Sequence, residues 1–97
     1  MITVTYKDTG KKRKLIIEGH GGGEKGKDIF CAAASTLLIT LVSTLDTAHI
    51  KHTADIRDGY AEIKCNRPES RTVFYTCMCG FYTLAELYKD KYRVISG

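Results

Sequence analysis

One stretch of this chain decides how its first half folds: LIIEGHGGGEKGKDIFCAAAS, residues Leu15–Ser35. It begins as an apolar run, passes through a loop rich in glycine and lysine, and ends where a second apolar segment starts. This pattern predicts a strand, a loop and a helix in that order. His20 ends the strand, and Cys31 follows Asp28 by three residues, at the start of the helix.

The segments on either side predict more strands and one more helix. MITVTYK alternates apolar and polar residues and is followed by the turn-forming DTGKK, so residues 1–19 predict a hairpin. The apolar segment 28–47 predicts a helix of about five turns. Two strand-like runs joined by Asp-Gly predict a second hairpin over residues 49–66, residues 69–89 predict another helix, and YRVIS predicts a final strand.

These segments predict an α+β fold with the order β-β-α-β-β-α-β, in which two helices pack on a mainly antiparallel sheet. A chain of 97 residues supports one core, so we expect a single domain over residues 1–97. The first helix has only a narrow polar stripe, which predicts that it is mostly buried, against the sheet and against a second subunit.

Two further residues carry predictions about packing. Cys65 is expected to face the core. Gly80, within the second helix, indicates close packing or a kink.

Composition and charge narrow the possible functions. The net charge of +4 is compatible with an acidic or nucleic-acid partner, but the basic residues are scattered apart from Lys11–Lys14, so nucleic acid is not favoured. No run of about 18 apolar residues and no secretory signal stand out, which predicts no membrane span and a cytoplasmic location. Cys77 and Cys79 lack the spacing of a metal site, so neither a metal nor a cofactor is predicted.

The glycine loop matches a phosphate-binding motif in part. GGGEKGK, residues 21–27, fits G-x-x-x-x-G-K between a strand and a helix. Asp28 replaces the Ser or Thr that holds magnesium, and its carboxylate would repel a phosphate at the helix N-terminus. Nucleotide binding is therefore disfavoured.

A thiol and an imidazole flank the same loop. Asp28 suits a helix N-cap that accepts from the backbone N–H of Cys31. The helix dipole is then expected to lower the pKa of the Cys31 thiol and favour the nucleophilic thiolate. His20 can approach Cys31 across the loop and act as its base. His49 and His52 are alternative bases, although nothing in the sequence ties them to Cys31.

The other polar and small residues of this stretch have less specific roles. Gly21, Gly22 and Gly23 leave the loop uncrowded, so that it can close over an extended peptide. Ser35 lies one helical turn after Cys31 and is more typical of a packing or capping hydroxyl than of a nucleophile, because the sequence pairs it with no base.

The block EGHGGG…GKDIFCAAAS resembles the signature of the ribosomal-processing cysteine proteases, the Prp family. The residues that match the family pattern are Gly19, His20, Gly26, Asp28, Ile29, Cys31, Ala32, Ala33 and Ser35. The order of predicted elements is also similar to that of the family along nearly the whole chain. Only the block from Gly19 to Ser35 is specific.

The resemblance implies a small cytosolic homodimer that removes a short N-terminal extension from large-subunit ribosomal protein twenty-seven. It implies that Cys31 is the nucleophile and His20 the general base. Asp28 and Ser35 would be supporting residues, with Asp28 either orienting the histidine or only capping the helix. The glycine loop, including Gly21, Gly22, Gly23 and Gly26, would contact the substrate.

A non-enzymatic role is the competing hypothesis. The basic hairpin around Lys11–Lys14 could attach the protein to a ribosome or an RNA. That hypothesis predicts salt-dependent RNA binding and an activity that survives the substitution Cys31→Ala.

Overall fold

The chain begins with a hairpin whose second strand leads to the loop described above. The computed structural model describes residues 1–20 and 28–97. Strand β1 (Ile2–Asp8) pairs antiparallel with β2 (Arg13–Gly19), and the turn between them contains Gly10 at a φ of 87°. This turn is closed by the Asp8 carboxylate, which accepts a 2.8 Å hydrogen bond from the Gly10 N–H.

The remaining elements complete a single five-stranded sheet with two helices. They are α1 (Ile29–Thr47), β3 (Thr53–Arg57), β4 (Tyr60–Cys65), a 3-10 turn (Pro68–Ser70), α2 (Arg71–Leu87) and β5 (Tyr92–Ser96). The strand order is β3-β4-β2-β1-β5, and β1 with β5 is the parallel pair in an otherwise antiparallel sheet. The predicted α+β class and element order are confirmed.

One face of the sheet carries the core. Alternate residues of the strands point to this face because successive side chains of a strand point to opposite sides. The buried strand positions include Val4, Leu15 and Ile63, which pack against Leu41 of α1 and Phe74 of α2. Both helices therefore cover the same face, and the N-terminal end of α1 lies near the end of β2.

Two predictions about helix packing have different outcomes. Gly80 is a site of close packing, because a Cβ there would lie 2.7 Å from Leu37 Cδ2 of α1. Within the single chain, the buried residues of α1 are Ala34, Leu38, Leu41 and Leu45, and burial of the rest of this helix against a second subunit stays a prediction. An apolar outer face therefore remains on this helix.

Helix α1 also changes the expectation about membrane spans. An 18-residue window of this helix has a mean hydropathy of 1.8, so by length and composition it is apolar enough to cross a membrane. A core helix of a soluble protein meets the same criterion, and α1 supplies four side chains to the core over the sheet. Its hydropathy alone therefore does not indicate a membrane protein.

The start of β3 differs from the prediction. The segment from His49 to His52 precedes the strand, which begins only at Thr53. His49 has a φ of 58°, and the N–H of Ile50 donates to the Leu45 carbonyl at 2.9 Å. This is the left-handed residue of a helix C-terminal motif, a position that glycine usually fills.

Candidate active site

The first turn of α1 is fixed by a side-chain cap. The Asp28 Oδ1 accepts hydrogen bonds from the backbone N–H groups of Phe30 and Cys31, both at 3.0 Å. Asp28 itself has extended backbone angles, as an N-cap residue requires. The predicted cap is confirmed, and it places Cys31 in the first helical turn.

His20 reaches the same place from the end of β2. Gly19 has a φ of 101°, a left-handed conformation that glycine adopts without steric cost, and the chain turns there toward α1. The Gly19 N–H donates to the Gly59 carbonyl at 3.0 Å, which ties the end of β2 to the turn between β3 and β4. The His20 side chain is therefore held between that turn and the helix.

The structure brings the thiol and the imidazole together. Cys31 Sγ lies 3.8 Å from His20 Nδ1, a distance that allows a sulfur hydrogen bond. Cys31 is half-buried and His20 is exposed, so both are open to a substrate. For the thiol to donate its proton to Nδ1, the neutral ring must carry its own proton on Nε2.

The two side chains stand in an open groove of about 530 Å³ between α1 and the β3–β4 hairpin. Ser35 lines this groove one turn after Cys31, as its spacing in the sequence predicts. Apolar side chains form much of the remaining wall: Ile17, Ala34, Leu38, Ile56 and Ala61. We call this the catalytic groove.

The alternative bases lie elsewhere. His49 and His52 follow the C-terminal end of α1, which lies about 24 Å from Cys31 at 1.5 Å per residue. His52 is engaged there, with its Nδ1 2.8 Å from the Ile50 carbonyl and its Nε2 3.3 Å from Asp46 Oδ1. Neither can serve Cys31.

Several sequence-based expectations fall outside the described residues. These are the substrate-loop glycines Gly21, Gly22, Gly23 and Gly26, together with the phosphate-loop match over residues 21–27. Across residues 1–20 and 28–97, no group of three His, Cys, Asp or Glu side chains could hold a metal ion.

Comparison with known proteins identifies the family. Residues 1–93 match the family model of the cysteine protease Prp. A curated relative, the ribosomal processing cysteine protease Prp of Staphylococcus aureus, is 32% identical over 105 aligned residues, covering 97% of each chain. The chain belongs to the Prp family of cysteine proteases.

Solved Prp structures have the same fold. The S. aureus protease in complex with a covalently linked product peptide superposes with a TM-score of 0.89 at 27% identity, over the full length of both chains. The same protease in complex with a substrate peptide gives a TM-score of 0.85 at 26% identity, again over both whole chains. The fold described above is therefore the Prp fold.

The backbone N–H groups expected to stabilise an oxyanion in this Prp chain already donate hydrogen bonds to Asp28. The sequence suggests that backbone N–H groups near Cys31 could stabilise a developing oxyanion. In the structure, the N–H groups of Phe30 and Cys31 donate to the Asp28 carboxylate, and that of Ala32 donates to the Asp28 carbonyl at 3.0 Å. All three N–H groups are therefore already hydrogen-bonded within the first turn of α1.

Two residues at the site were missed by sequence reasoning. Tyr92 donates its hydroxyl to the Phe30 carbonyl at 2.6 Å and so anchors the first turn of α1 to β5. Burial raises the pKa of Tyr92, and the nearby Asp28 and Cys31 charges raise it further. Gly59 packs beneath the His20 ring, and its only sequence signal is the Asp-Gly turn.

Proposed function

We propose that this chain is an endopeptidase that removes the short N-terminal extension of large-subunit ribosomal protein twenty-seven. Cys31 acts as the nucleophile and His20 as the general base. The observation that carries the proposal is the 3.8 Å contact between Cys31 Sγ and His20 Nδ1 inside an open groove. Membership of a family of cysteine proteases supports the same chemistry.

The reaction follows from this geometry. His20 Nδ1 takes the thiol proton, and Cys31 Sγ attacks the peptide carbonyl carbon to form a tetrahedral adduct. The imidazolium then gives its proton to the leaving amine as the C–N bond breaks, which leaves a thioester on Cys31. Water, deprotonated by His20, hydrolyses the thioester and restores the thiol.

The groove supports a substrate with apolar side chains near the cleaved bond. Ile56 and Ala61 lie on the hairpin side and Leu38 on the helix side, so apolar side chains of a bound peptide would leave water on binding. The S. aureus relatives solved with a product peptide and a substrate peptide support a peptide ligand in a fold of this kind. A cytoplasmic location is proposed with this substrate, since ribosomal proteins are made there.

Peptide cleavage tests the proposal. We expect wild-type protein to cut a peptide that spans the extension at one bond, with mass spectrometry as the readout. Cys31→Ala and His20→Ala should each lose almost all activity. Cys79→Ala is the matched control because Cys79 is an exposed thiol on α2, away from the groove; it should cleave as wild type. An intact rate in Cys31→Ala would exclude the proposal.

A homodimer formed through α1 is the second part of the proposal. Helix α1 leaves apolar surface outside the core, and Ile39 is 51% exposed. Sedimentation velocity should show a dimer that Ile39→Lys dissociates. Ile95, 45% exposed on β5, offers the control Ile95→Lys, which should leave the dimer intact. A wild-type protein that sediments as a monomer would rule out this assembly.

A further inference from the structure

The end of the sheet opposite the catalytic groove has a second open cleft, of about 370 Å³. Four cationic side chains line it, namely Lys12, Lys51, Lys64 and Arg67, and His52 forms part of its wall. None of its described lining residues is acidic. We call this site the basic cleft.

The fold gathers these cations from separate parts of the chain. Lys12 comes from the β1–β2 turn, Lys51 from the connection between α1 and β3, and Arg67 from the segment after β4. The pairing of β4 with both β2 and β3 brings these segments together at one end of the sheet. Basic residues that are scattered along the sequence are therefore close together in the folded chain.

Much of this charge has no local counterion. Lys64 is 3.4 Å from Glu62, on the outer face of β4. In contrast, Lys12, Lys51 and Arg67 make no ion pair with any residue in the described parts of the chain. The cleft therefore offers at least three unneutralised cations to a ligand.

We propose that the basic cleft binds the phosphate backbone of RNA. Lysine and arginine neutralise backbone phosphates and release counterions, which is the main source of affinity for nucleic acids regardless of sequence. Thr53 and Asn66 also line the cleft, and side chains of these types hydrogen-bond phosphate oxygens. The choice of RNA over DNA rests on the proposed function, because a protease that processes a ribosomal protein meets its substrate among ribosomal RNA.

The chemistry of the lining disfavours an acidic protein as the ligand. The fully buried centre of a protein–protein interface is typically apolar and often aromatic. The described lining of the basic cleft has no Phe, Tyr or Trp, and Cys65 is its single apolar side chain there. Its one aromatic ring is the His52 imidazole, which is already held at the Ile50 carbonyl and Asp46, so binding should depend little on base sequence.

The proposal is tested by fluorescence anisotropy with labelled RNA duplexes of two unrelated sequences. The wild type should bind both equally, and more weakly as salt is raised. The double variant Lys51→Ala/Arg67→Ala should make the slope of log affinity against log salt shallower by about 1.4–1.8, since each lost phosphate contact removes about 0.7–0.9. Its affinity at low salt should fall by about tenfold or more.

A charge-matched control separates the cleft from net charge alone. Lys89→Ala/Arg93→Ala removes the same two charges, taking +4 to +2, from exposed positions near the start of β5 at the other end of the sheet. It should bind RNA nearly as tightly as wild type. Equal losses in the two double variants would overturn the proposal, as would no wild-type binding at low salt. Tighter binding of a DNA duplex than of an RNA duplex would also overturn the proposal. The same holds if polyglutamate competes for the protein as effectively as unlabelled RNA does.

A separate measurement, cleavage of the short extension peptide, distinguishes failure of the basic-cleft proposal from failure of the proposed function. Both double variants should cut the free peptide at the wild-type rate, because neither changes the catalytic groove. If the wild type binds RNA through the cleft but does not cut the peptide, the proposed substrate is wrong and phosphate-backbone binding stands. Peptide cleavage without RNA binding gives the opposite result and overturns only the basic-cleft proposal.

Discussion

His20 and Cys31 face each other because two different elements hold them. Cys31 is fixed by the Asp28 cap in the first turn of α1, and His20 follows the left-handed Gly19 at the end of β2. The imidazole also rests on Gly59, where a Cβ would lie 2.7 Å from His20 Nε2. The absence of a side chain at this turn sets where the ring can lie.

We expect Gly59→Ala to displace the imidazole from Cys31. A misplacement of about 1 Å can cost about 100-fold in rate, so kcat should fall by at least tenfold, with a much smaller change in KM. Steady-state kinetics on the extension peptide measures both quantities.

Gly10→Ala is the matched control for backbone strain. Gly10 also has a positive φ, 87° against 74° for Gly59, but a Cβ there would meet nothing within 4 Å. Both variants should lose similar stability, and only Gly59→Ala should lose activity. Similar kinetics in the two variants would show that the ring does not depend on Gly59.

Helix α1 links the fold to the chemistry through its N-terminal cap. The Asp28 carboxylate accepts from two backbone N–H groups and so fixes the turn that carries Cys31. An amide oxygen can accept the same hydrogen bonds, because Asn is as good an N-cap residue as Asp. The substitution Asp28→Asn therefore removes the charge of this side chain and keeps its capping hydrogen bonds.

We expect Asp28→Asn to keep both stability and most of kcat, since the cap survives. Asp28→Ala should lose about 1 kcal/mol of stability, the usual cost of removing an N-cap, together with activity. Urea unfolding and peptide kinetics on the two variants check this. A stable Asp28→Asn protein that is inactive would instead assign the charge a role in orienting His20.

The elements that sequence predicts well are those with local signals. The Asp28 cap, the strand alternation and the Asp58–Gly59 turn are all encoded within a few residues, and the structure has each of them. The start of β3 was predicted too early. His49 has a left-handed backbone conformation that glycine usually adopts, so no glycine in the sequence marks the end of α1. Burial of Ile50 accompanies that conformation, and tertiary packing is invisible to local patterns.

Only part of the site could be predicted from the sequence. The pair of His20 and Cys31 was predictable from the cap and from the family resemblance, both of which lie in one stretch. Gly59 and Tyr92 could not be placed at the site, because they come from distant parts of the chain, the β3–β4 turn and β5. Gly59 contacts the site through its backbone, and Tyr92 through a single hydroxyl. The basic cleft was missed for the same reason.

At the scale of the whole molecule, the sheet separates two surfaces of different chemistry. Strand β4 runs from Tyr60 in the catalytic groove to Cys65 in the basic cleft, about 17 Å at 3.4 Å per residue. Peptide cleavage and RNA binding can therefore be altered independently.

The core also makes a prediction about alkaline stability. Burial raises the pKa of Cys77 from 9.0 to about 12. The folded state therefore keeps a proton that the unfolded chain loses, so the free energy of unfolding should fall between pH 9 and pH 12, by up to about 1.4 kcal/mol per pH unit. Relative to wild type, Cys77→Ala should show a shallower fall over that range in denaturant titrations.

Cys79→Ala provides the control for this effect, because Cys79 is an exposed thiol on the same helix. Its stability should follow the wild-type pH dependence. Parallel curves for Cys77→Ala and Cys79→Ala would show that ionisation of the buried thiol does not contribute.

Covalent labelling is the sharpest test of whether Cys31 is the nucleophile. The probe is the peptide of the extension up to the cleaved bond, ending in a chloromethyl ketone, and the readout is intact mass followed by peptide mapping. We expect one label per chain, on Cys31, with loss of activity in proportion, and no label in His20→Ala over the same time. Labelling of the more exposed Cys79 instead, or full activity with Cys31 labelled, would contradict this role of Cys31.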